Sequence, residues 1–98
     1  MDKNGIGDKV EFLLKLSKIG RYEKEELDEV VSYTSLYSEN LILGKVFGYS
    51  VSDYAFATLF WLNTPETIKL YNDLSRDIDV KRKKEIESLI ELRLFEHC

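Results

Sequence analysis

Ninety-eight residues are enough for one small domain and leave little room for a second. At 44% hydrophobic and 33% charged, the composition is that of a globular chain and excludes a disordered one. The net charge of -4 repels nucleic acid at long range, so nucleic-acid binding is disfavoured unless a local basic patch supplies it.

The first seven residues, "MDKNGIG", read as a mobile leader, which leaves residues 8–98 as a single helical domain. Asp8 is placed to cap a first helix over residues 9–19, with Val10, Leu13, Leu14 and Ser17 on one face and Gly20 as its stop. The alternation of Val10, Phe12, Leu14 and Leu16 also fits a strand, but the Leu, Lys and Glu content favours helix. The second segment, "EKEELDEVVSY", puts acids where a helix dipole favours them, with Leu27, Val30 and Val31 as its apolar stripe. The third, "SLYSENLILGKVF", is read as a helix continuing to Phe47 and stopping at Gly48. Its rival is a short hairpin near residues 41–49, turning at Gly44-Lys45.

The fourth helix, Val51 to about Leu62, starts from a capping-box pattern of Ser50 and Asp53. Thr64 and Pro65 open a fifth, running to about Ser75 with Ile68, Tyr71 and Leu74 inward. Asp77 and Asp79 offer caps for a last helix from Val80, striped by Ile86, Leu89, Ile90 and Leu94. The expected fold is all-α: a compact bundle of about five to six short helices.

"YAFATLFWLN" is the most apolar stretch. At 100° per residue, Phe56, Leu59 and Phe60 fall on one side of its helix and Tyr54, Ala57 and Trp61 on nearly the opposite side. A surface helix has one apolar stripe; this one has two. Either it lies at the centre of the bundle, or its Tyr54–Trp61 face is covered by another chain. Leu92 and Phe95, off the main stripe of the last helix, are the other candidates for a partner contact. A chain this short buries only about 60–65% of its unfolded surface, which favours a homo-oligomer or a protein partner.

No pattern for catalysis, a metal or a cofactor emerges. The single histidine, His97, adjoins the single cysteine, Cys98, at the terminus, where a nucleophile pair lacks a rigid support. One of each cannot complete a zinc site within the chain, and one cysteine forms no internal disulfide. No acid stands inside an apolar run in the manner of a tuned general acid. The run Lys81, Arg82, Lys83 and Lys84 reads as a solvated face, with a phosphate or acidic contact as the alternative. Residues 50–75 have the outline of a helix-turn-helix, whose second helix would present Lys69 and Arg76 to nucleic acid. Tyr33 and Tyr37 would share a face if one helix ran through both.

The chain has neither a signal-peptide layout nor an apolar run near the ~20 residues that span a bilayer, so a cytoplasmic protein without membrane contact is expected. It has no glutamine and much Lys and Glu, a bias of hot-environment proteins and consistent with an archaeal or viral source. The functional expectation is a non-catalytic interaction module or accessory subunit, homodimeric, with a helix-turn-helix or winged-helix DNA binder as the alternative.

Overall fold

In chain order the elements are α1 (Ile6–Ile19), α2 (Lys24–Tyr33), β1 (Lys45–Val46), β2 (Tyr49–Ser50), α3 (Val51–Leu62), α4 (Pro65–Ser75) and α5 (Val80–Leu92), with a closing 3-10 turn at Leu94–His97. They are taken from a computed structural model describing residues 5–37, 45–46 and 48–97. The fold is an all-α bundle with one two-residue antiparallel ladder attached.

Three helix starts follow directly from local side-chain chemistry. The Ser50 hydroxyl accepts the Asp53 amide N–H and the Asp53 carboxylate accepts that of Ser50, a reciprocal box that opens α3. Thr64 and Thr67 do the same for α4, with Pro65 at the first helical position. The Asp79 carboxylate accepts the Arg82 amide N–H at 2.8 Å and opens α5. Ser50 is fully buried, so no water replaces a lost cap. Ser50→Ala is therefore expected to cost about 1 kcal/mol, or roughly 4–8 °C in thermal midpoint. An unchanged midpoint would mean that the box adds nothing to stability.

Two boundaries differ from the sequence reading. Helix α1 begins at Ile6 with Gly5 as its N-cap, so Ile6 and Gly7 are not leader; residues 1–4 lie outside the described residues. Asp8 sits within the first turn, where the helix dipole favours a carboxylate without any capping bond. The expected third helix is not formed at 45–46, which are strand, and α2 stops at Tyr33. The Thr34 and Ser35 hydroxyls donate to the carbonyls of Val31 and Ser32, three residues back, and so compete with the next helical turn. Tyr37 consequently lies beyond the helix and shares no face with Tyr33. The ladder pairs Lys45 with Ser50 and Val46 with Tyr49. Lys45 stands in the ladder and not in a turn, and Gly48 takes φ 84 between the two strands. The remainder of the expected segment, 38–44 and 47, lies outside the described residues.

Helix α3 is the axis of the bundle and packs against α1, α2, α4 and α5. Its residues from Val51 to Leu59 are all buried, and so is Leu62. Small polar residues let α1 approach: Ser17 and Thr58 lie 3.3 Å apart, and each donates its hydroxyl back to its own helix at 2.8 Å. On the other flank Tyr71 of α4 meets Phe56 and Phe60 edge-on, at 6.0 and 5.7 Å. Ile86 and Leu89 anchor α5 at zero exposure. No helix among the described residues is long and apolar enough to cross a membrane.

Candidate interaction surface

The two rival readings of the most apolar stretch resolve residue by residue. Tyr54 is wholly buried within its own chain, its ring 6.2 Å from that of Tyr49, so it has no area to offer a partner. Trp61, two turns further along the same side, is half-buried and donates its indole N–H to the Ile90 carbonyl at 3.1 Å. Phe60, grouped with Phe56 and Leu59 by helical spacing, is 44% exposed while those two are buried. The chain thus covers α3 along most of its length and stops short at its last turn.

That turn borders an open cleft of about 340 Å³ lined by Phe60, Trp61, Asn63, Ile90 and Arg93. Two helix ends meet there. α3 terminates at Asn63 (φ 52) and α5 at Arg93 (φ 48), each left-handed. Asn tolerates that conformation; for Arg it costs on the order of 1 kcal/mol. The Arg93 amide N–H bonds the Ile90 carbonyl at 3.3 Å, which holds the turn, and its guanidinium reaches Glu96 at 3.4 Å across solvent. The cleft therefore combines an aromatic wall, an aliphatic side chain and one cation weakly held by its neighbour.

Leu92 is 49% exposed, yet it does not line this cleft. It points from another flank of α5, so Trp61 and Leu92 do not form one patch. The side chain of Phe95 lies outside the described residues.

The basic run divides. Lys81, Lys83 and Lys84 are exposed at the start of α5 and make no ion pair with the described residues. Arg82 turns inward, its side chain only 18% exposed, and is not a surface contact. Its Nη2 donates to the Ser52 hydroxyl at 2.6 Å and lies 3.8 Å from Asp53 Oδ1, while its guanidinium covers the Tyr37 ring at 4.0 Å. Ser52 in turn donates to the Thr34 carbonyl. One arginine thus joins the chain after α2, the start of α3 and the start of α5. Asp53 has zero exposure, although the sequence places no acid inside an apolar run. Burial raises its carboxyl above the usual range, against the opposing bonds from Ser50 and the charge of Arg82. Asp53 Oδ1, Arg82 Nε and Glu85 Oε2 are buried without hydrogen-bond partners.

Lys69 and Arg76, the proposed nucleic-acid contacts, project from α4 among Glu66 and Asp73, and Arg76 pairs with Asp73 at 3.3 Å. Alternating signs on this face form no continuous basic track. Among the described residues, no three His, Cys, Asp or Glu side chains converge as a metal would require.

Comparison with protein-family models, characterised proteins and solved structures finds no match for this chain.

The sequence offered no signal for Phe60 as the exposed ring. Its exposure depends on where α5 ends, at Leu92, far downstream.

Proposed function

We propose that this chain is a small accessory subunit that docks a partner protein through the Phe60–Trp61 cleft. One observation carries the reading: α3 is buried from Val51 to Leu59, yet its last turn leaves a phenyl ring 44% exposed beside a half-buried indole. Aromatic side chains bordering a cleft are the residues that dominate binding energy when a partner desolvates them. Ile90 extends the apolar wall, and Arg93 supplies a cation at the rim. The matching partner segment inserts one apolar side chain and carries an acid close to it.

The test separates binding from folding. Phe60 is partly in solvent but packs edge-on against Tyr71, so Phe60→Ala is expected to cost about 1–2 kcal/mol of stability and to leave the fold intact. Its loss from a binding centre is expected to cost about 2 kcal/mol or more, a weakening of roughly 30-fold. A photo-crosslinking amino acid at Asn63, with Phe60 intact or replaced by alanine, reads this in cell extract. A discrete adduct that disappears on Phe60→Ala, while circular dichroism shows the variant folded, supports the reading. Equal adducts from both proteins, or none, would refute it.

A further inference from the structure

We infer that α4 is the self-association surface of this protein, meeting the α4 of a second copy antiparallel across a two-fold axis. The inference concerns a different face from the Phe60–Trp61 cleft and stands independently of it. Four exposed residues carry it: Glu66, Lys69, Asp73 and Arg76. Arg76 is the C-cap of α4 and keeps helical φ and ψ, so at 100° per residue the spacing of three, four and three confines all four to an arc of about 80° on the outer face. Tyr71 points the opposite way, into Phe56 and Phe60.

Along that face the charges read negative, positive, negative, positive. Reversing the helix inverts every sign. An antiparallel copy centred at position 71 therefore sets Glu66 against Arg76 of its partner and Lys69 against Asp73 of its partner. Two-fold symmetry then repeats both pairs, giving four opposite-charge contacts and no like-charge ones. A parallel copy in register would oppose only like charges. Lys69 makes no ion pair within the described residues, so it is available for this contact.

Exposed ion pairs orient an interface more than they hold it. Apolar area lies alongside, in a groove of about 710 Å³ between α2 and α4 with Leu27, Val31 and Leu70 on its floor. The two helices both rest on α3, and the Tyr22 hydroxyl closes one end of the groove by bonding Thr64 and Glu66 at 2.8 and 3.0 Å. The second copy's α4 covers the Leu70 side of this groove. A contact of one helix pair is smaller than the ~800 Å² per partner of a standard interface, so the dimer is expected to be micromolar and salt-sensitive.

The experiment uses charge reversal on the full chain, followed by sedimentation equilibrium in low-salt reducing buffer. Wild type is expected to dimerise, and Lys69→Asp or Asp73→Lys alone to weaken dimerisation by about tenfold or more, because each creates two like-charge contacts. Mixing the two variants is expected to restore a heterodimer, since Asp at 69 in one copy then faces Lys at 73 in the other. Circular dichroism confirms that both variants fold. Wild type that stays monomeric to millimolar concentration would overturn the inference. So would single variants that dimerise like wild type, or a mixture that fails to recover. A dimer lost on Phe60→Ala but retained by both reversals would place self-association in the cleft instead, and would likewise overturn it.

Discussion

Arg82→Ala is expected to lower unfolding free energy by about 3 kcal/mol. The substitution leaves the Asp53 carboxyl at zero exposure with its countercharge removed. It also strips the guanidinium from Tyr37 and from Ser52, so three segments lose a common tie. Asp53→Asn combined with Arg82→Met is expected to recover most of the loss. The amide oxygen of Asn still accepts the Ser50 N–H, and neither partner then carries a buried charge. Urea denaturation of the single and double variants checks this. Arg82→Ala within about 0.5 kcal/mol of wild type would mean that Asp53 is solvated or already protonated.

The same pair sets a pH dependence opposite to that of an ordinary aspartate. Burial, the largest influence on Asp53, raises its folded pKa above the unfolded value of about 3.9. Between those two values the folded state binds the proton more tightly. The Asp53 contribution to stability is therefore greatest at low pH and declines as pH rises through the folded pKa. In Arg82→Ala the opposing positive charge is gone, so the carboxyl moves further up. The deficit of that variant is expected to be largest near neutrality and to shrink as the pH falls through the folded pKa. A deficit that stays constant or grows with acidification would refute a protonatable Asp53.

Tyr54→Ala is expected to cost about 3–5 kcal/mol and to leave association of the folded protein unchanged. The phenol lies at zero exposure in the centre of α3, and its removal opens a cavity against the ring of Tyr49. For a domain whose whole stability lies in the range of roughly 5–15 kcal/mol, such a loss approaches unfolding. Tyr54→Phe therefore provides the milder companion, keeping the ring and removing only the hydroxyl. A Tyr54→Ala protein with a near-native denaturation midpoint would return this residue to the surface.

Several features were legible because their causes are local. Ser50, Thr64 and Asp79 each reach a backbone N–H three residues ahead, so the starts of α3, α4 and α5 depend on a few adjacent positions. The stripe of Ile86 and Leu89 is likewise a property of one helix, as is the stop at Gly20, where φ 76 suits a residue without Cβ. The end of α2 was less legible: Thr34 and Ser35 back-bond through their hydroxyls, so 35–37 do not continue as helix, and 45–46 are strand. The charge antisymmetry of α4 was present in the sequence too, but it became a surface only once Tyr71 was seen to point inward.

The sequence by itself determined an all-α chain, the caps that start its last three helices, and the surplus of apolar area on α3. Tertiary structure alone decided how that surplus was divided. Tyr54 went to the core and Phe60 to the surface because α5 supplies cover only as far as its end at Arg93. It also decided that one of four consecutive basic residues would turn inward. Arg82 meets Ser52 thirty positions away, and Trp61 meets Ile90 twenty-nine away. Periodicity reports which residues share a face of one helix. Which face another helix covers depends on the packing of distant elements, and a buried Asp53 acquires its countercharge only when α5 is laid across the start of α3.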